Sequence, residues 1–106
     1  MKKEDITHII GIMKKVNWNI EKNNWLKKER GVSFEVVKQY IENEDYVDII
    51  EHPQKERYPS QRIFVIDIDG YIFCVPFVES KTEIFLKTIF PNRTLTKKYL
   101  KKEVSK

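Results

Sequence analysis

Four residues of this chain have side chains able to grip a phosphate and move protons beside it: Arg93, Lys87, Arg62 and His52. Phosphate-ester cleavage without a metal needs a group to take the nucleophile's proton, cationic donors for the charge building on phosphate, and an acid for the departing oxygen. Arginine suits the phosphate, because its planar fork stays charged and donates two parallel bonds. Arg93 follows Pro91, which ends a ladder and fixes the chain's exit; its other reading is a surface or partner-facing arginine. Lys87 falls inside an apolar run, with Phe85 and Ile89 on its own side under strict alternation. An unpaired ammonium buried there would be costly, so it must reach a cleft, where desolvation makes it a better proton shuttle. Its other reading is a lysine snorkelling from an edge.

Arg62 opens a β-branched run and either places a second guanidinium on the same sheet or pairs with Asp48 or Glu51. His52, between Glu51 and Pro53, carries the side chain best suited to acid–base work near neutrality, although a loop histidine is also often simply exposed. Arg57, Lys97, Lys98 and Tyr99 are candidates for holding substrate, the tyrosine by stacking on a base or donating from its hydroxyl. Each also reads as bland surface, or for Tyr99 as packing beneath a helix. No Gly-rich phosphate loop, nucleophile elbow or paired-acid motif occurs. His8 and His52 are far apart and Cys74 is the single cysteine, so no metal is expected, and no cofactor either.

The elements that must position these residues follow from periodicity. Asp5 to Lys15 carries Ile6, Ile9, Ile10 and Met13 at helical spacing, and reads as a short amphipathic helix or a flexible extension of the domain at 16–106. Val16 to Trp18 is extended. Asn19 caps a helix from Ile20 to about Arg30 that Gly31 ends, with Trp25 and Leu26 marking its apolar stripe. Ser33 caps a second helix, Phe34 to about Glu42, burying Phe34, Val37 and Ile41. From Tyr46 the period becomes extended: a strand at Val47 to Glu51, a polar loop His52 to Gln61, then a meander. Its strands are Arg62 to Ile68, Tyr71 to Val78 and Glu83 to Phe90, with Asp69-Gly70 as the first hairpin turn. Pro76 cannot donate to a ladder and demands an edge or a bulge. Thr94 to Lys102 forms a short terminal helix, with Leu95 and Tyr99 against the sheet. The expectation is an α+β fold, two N-terminal helices on an antiparallel sheet built around a three-strand meander.

Composition is that of one globular domain: 106 residues, 41% hydrophobic and 34% charged, with a net charge of +4. No apolar run is long enough to cross a bilayer. The start MKKEDITHII lacks the apolar core of a signal peptide, which with the single cysteine points to a reducing cytoplasm. Residues 97–106 hold five lysines and one glutamate, whereas 42–51 hold Glu42, Glu44, Asp45, Asp48 and Glu51 with no base. Such polarity suits nucleic acid on one side and an oppositely charged partner on another, or two solvated faces.

The stretches VNWNIEKNNWLKKERGVSFE, QRIFVIDIDGYIFCVPFVE and IFPNRTLTKKYL, in that order, resemble the BrnT-type toxins of bacterial toxin–antitoxin pairs over Val16 to Leu100. The residues that carry the likeness are Trp18, Lys22, Asn23, Gly31, Phe34, Arg93 and Tyr99. The chain departs from the family pattern at Arg30, commonly histidine, and at Pro91-Asn92, commonly Ser-Ala. The resemblance implies a RelE-like ribonuclease fold, cytoplasmic action on RNA and neutralisation by a cognate antitoxin protein, with homo- and hetero-oligomers both open. Two readings of function follow: a metal-independent endoribonuclease toxin that arrests growth, or a non-catalytic RNA- or protein-binding module with the same fold. The first requires Arg62, Lys87 and Arg93 to converge on one phosphate.

Overall fold

In a computed structural model, residues 14–101 are described. Most of the segment expected as an N-terminal helix lies outside them, and Lys15 already belongs to the first strand. The elements are β1 (Lys15–Trp18), α1 (Ile20–Arg30), α2 (Phe34–Glu42), β2 (Asp48–Glu51), β3 (Gln61–Ile68), β4 (Tyr71–Glu79), β5 (Glu83–Leu86), β6 (Phe90–Pro91) and α3 (Arg93–Leu100).

The helices begin and end where side chains satisfy their free backbone groups. The Asn19 side chain accepts from the Lys22 N–H, Ser33 from Val36, and Asn92 from Leu95. Gly31 closes α1 at φ 68°, a left-handed conformation that costs glycine least. A buried asparagine then joins the two helices. Asn23 Oδ1 accepts from the Phe34 N–H at 2.8 Å, a first-turn donor with no partner inside its own helix. Its Nδ2 donates to Glu35 at 2.9 Å, and this bond is the main reason the Glu35 carboxyl lies below its ordinary range. The apolar stripe of α1 is therefore Leu26 alongside Asn23. Trp25, expected on that stripe, sits about 100° round the helix and is 43% exposed.

The fold is α+β, with a six-stranded mixed sheet in the order β1-β5-β4-β3-β2 and β6 also on β4. Its centre is the β3–β4 hairpin, in register from Gln61↔Val78 to Ile68↔Tyr71. Asp69 and Gly70 turn it with positive φ at both residues, 56° and 84°, as a type I′ turn demands. β2 extends the antiparallel side, whereas β1 joins β5 in parallel. That parallel edge is the difference from the expected antiparallel sheet.

Alternation along the strands gives the sheet two buried faces. One carries Phe64, Ile66, Val75, Phe77, Ile84 and Leu86, packed against Leu26, Phe34, Val37 and Ile41 of α1 and α2. Phe64 stacks on Phe77 with centroids 4.2 Å apart, and Trp18 of β1 stacks on Phe34 of α2 at 5.7 Å. The other face carries Ile63, Val65, Ile72 and Cys74, all buried, and α3 crosses it. At one edge the Asn92 N–H donates to Ile72 O and the Ile72 N–H to Thr96 Oγ1, each at 2.9 Å; at the other, the Tyr99 hydroxyl donates to Asp48 at 2.8 Å. Burial pushes the Cys74 thiol up to about 11, so it stays protonated and unreactive at neutral pH.

The third meander strand is not continuous. Glu83–Leu86 pairs with the end of β4 and Phe90–Pro91 with its middle, while residues 87–89 leave the ladder. Pro76 accounts for the break. Its carbonyl accepts from the Lys87 N–H at 2.8 Å, so its nitrogen faces the same neighbour and has no hydrogen to offer it. The Arg30 guanidinium, from the end of α1, donates to the Ile89 carbonyl at 2.6 Å and steadies the detour.

Candidate functional site

The break in the third strand opens a cleft of about 380 Å³ at the end of the sheet. One wall is the 52–61 connection, contributing His52, Gln54, Tyr58 and Gln61; the other is Pro76 with the detour residues Lys87 and Thr88, and Phe90. The connection is folded on itself. Gln54 O accepts from both Arg57 N and Tyr58 N, and Tyr58 O accepts from Gln61 N. The His52 ring lies against Tyr58, centroids 4.5 Å apart, and its Nδ1 accepts from the Gln54 N–H at 3.0 Å. With Nδ1 occupied as an acceptor, the neutral imidazole holds its proton on Nε2.

Lys87 is the only charged residue in that lining, and no carboxylate joins it among the described residues. The cleft therefore offers donors: an ammonium, an imidazole N–H, the Gln61 amide and the Thr88 hydroxyl. Donors fit a phosphate and a departing oxygen. No second imidazole or carboxylate lines the cleft to take the 2′-OH proton, and His52 in this tautomer offers a hydrogen bond rather than a proton.

The structure brings together two of the four candidate catalytic residues, Lys87 and His52, and separates the others. Lys87 is exposed, its ammonium 5.3 Å from the Phe85 ring centroid, so of its two readings the lysine reaching out from an edge is the one seen and the desolvated ammonium is overturned. Arg62 lies on the sheet's helix-covered face. There its guanidinium pairs with Glu79 at 2.6 Å and lies over Phe77, while the other Glu79 oxygen accepts from Lys14 at 2.6 Å. Its partner is thus on β4, neither Asp48 nor Glu51, because the β3–β4 register puts Glu79 diagonally across from it. Arg93 is exposed at the first position of α3, on the opposite face from Arg62 and outside the cleft. The three cations do not converge.

No protein-family model, curated protein or solved structure matches this chain.

The substrate-holding candidates divide in the same way. Arg57 is exposed on the connection, its guanidinium 5.6 Å from the Tyr58 ring centroid, beside the cleft wall. Lys97 and Lys98 are exposed on α3, Lys98 lying over the Tyr99 ring at 5.3 Å. Tyr99 is committed to Asp48. Burial and that bond push its hydroxyl up to about 12, which removes it as a proton donor near neutrality. The bond's contribution is full below the ordinary tyrosine value of about 10 and is lost as pH rises through about 12. Tyr99→Phe should therefore be less stable than wild type at pH 8, with the gap closing above about pH 12; urea unfolding midpoints at the two pH values measure it.

Gln61, Thr88, Phe90 and Tyr58 were not legible as site residues. The available signal was Pro76, since a proline inside a strand marks where a sheet opens.

Proposed function

We propose that the chain is the RNA-directed toxin of a toxin–antitoxin pair, and that it meets RNA in the His52–Lys87 cleft, a different site from the three-cation convergence the sequence reading required and the structure does not form. The observation that carries this is that a histidine and a lone lysine line the same concave, carboxylate-free cleft. The resemblance to BrnT-type toxins supports the same reading. In it, Lys87 neutralises the phosphate and the His52 Nε2–H donates a hydrogen bond to the charge building on the departing 5′ oxygen, while water takes the 2′-OH proton and supplies one to that oxygen. A cytoplasmic setting and an antitoxin partner belong to this proposal.

A second reading, a non-catalytic RNA-binding module, is favoured by one observation: Arg62 is neutralised by Glu79 and lies apart from Arg93, so no arginine clamp forms. Induction of the wild type, Lys87→Ala and Arg93→Ala in bacteria separates them, with growth and RNA integrity as readouts. Growth arrest with RNA cleavage is expected from the wild type and Arg93→Ala, and neither from Lys87→Ala. Loss with Arg93→Ala alone would return the site to the strand-end arginine. Intact RNA and normal growth in all three would leave the binding module.

A further inference from the structure

The lining of the cleft has more than a phosphate grip requires. A phosphate needs only the Lys87 ammonium and an N–H donor, yet the same walls carry the aromatic rings of Tyr58 and Phe90, the Pro76 ring, the Gln61 amide and the Thr88 hydroxyl. We propose that the cleft takes one unpaired nucleotide, its base inserted between the 52–61 connection and the detour at 87–89, and its phosphate at Lys87. This rests on the RNA-directed reading above and adds the substrate's strandedness and the recognition of a base.

Three observations carry it. The volume, about 380 Å³, lies at the lower end of the roughly 300–1,000 Å³ typical of small-molecule sites, the scale of a single nucleotide. The aromatic and proline surfaces offer apolar contact to any base, and each base has a π-face to meet it. Gln61 offers both an acceptor and donors, and Thr88 a hydroxyl that does either, so a base edge can be read where stacking alone would not discriminate. Duplex RNA cannot use these groups, because its bases are stacked and its deep groove is too narrow for side chains. A surface that gripped backbone only would have no use for an amide and aromatic rings in the same hollow.

The probe is a fluorescein-labelled 2′-O-methyl oligonucleotide, which lacks the free 2′-OH needed for cleavage and so reports binding alone. Single-stranded probes of each homopolymer, and a mixed-sequence probe with and without its complement, are titrated against the wild type, Gln61→Leu, Thr88→Val and Lys87→Ala by anisotropy. The single strand should bind about tenfold or more tighter than the duplex, with a preference among the four homopolymers. Gln61→Leu or Thr88→Val should flatten that preference, while Lys87→Ala should weaken all single strands alike. Equal binding of single strand and duplex would overturn the proposal, as would a preference untouched by both substitutions. If neither form binds, the RNA-directed reading fails with it. If the single strand binds as expected but unmodified RNA stays whole, only the cleavage step is lost.

Discussion

Replacing His52 with alanine is expected to slow RNA cleavage by roughly 10²- to 10³-fold, the usual worth of one preorganised donor to developing charge. The argument rests on how the ring is held. Gln54 N–H occupies Nδ1, and Tyr58 lies against the ring at 4.5 Å, so Nε2–H is fixed as the outward donor in the lining that also holds Lys87. Alanine removes the donor from an exposed connection without opening a cavity in either buried face. Losing the Gln54 bond and the Tyr58 contact of this half-buried ring should cost about 1 kcal/mol, and binding of an uncleavable RNA should fall far less than cleavage does. Single-turnover rates on unmodified RNA, beside anisotropy with the 2′-O-methyl probe, separate the two effects. A rate within twofold of wild type would remove His52 from the chemistry. Binding and cleavage falling in parallel would recast it as a contact residue.

The second large effect is structural. Phe64→Ala should destabilise the domain by roughly 3–5 kcal/mol. Phe64 is fully buried, stacks on Phe77 at 4.2 Å and meets Tyr46 at 5.3 Å, so truncation leaves a cavity between the central hairpin and the helices. Against a total stability on the order of 5–15 kcal/mol, that loss brings the folded state to its margin. Urea unfolding reads it directly: the midpoint should fall while the slope holds, since the surface exposed on unfolding is nearly the same. A loss under about 1 kcal/mol would mean that the hairpin and helices do not share one core. Ile20, 72% exposed, is the control, and Ile20→Ala should stay within about 0.5 kcal/mol.

How much of this could be read beforehand depended on how local each signal was. The cap at Asn19, the glycine stop at 31 and the Asp69-Gly70 turn are each decided within four residues, and the structure has them where the sequence placed them. The sequence pattern starts the terminal helix at Thr94; in the structure Asn92 caps it and Arg93 is its first residue, one position earlier. The continuous strand from Glu83 to Phe90 failed because alternation alone cannot register that the partner strand lacks a donor at Pro76. The cleft was the least accessible feature. Gln61 and Thr88 reach one lining only after β3, β4 and β5 have paired, and nothing near either residue announces the other. Arg62 was legible as a cation with two possible fates, and the register of β3 on β4 chose the ion pair.

The parallel edge bears on the order in which the molecule assembles. Val16 sits beside Ile84 across roughly 70 intervening positions, whereas the central hairpin closes over two. Loop closure makes distant contacts the slower ones to form, so the hairpin is the natural nucleus and the first strand the last to dock. A chain still emerging from the ribosome would therefore hold β1 idle until β5 is made.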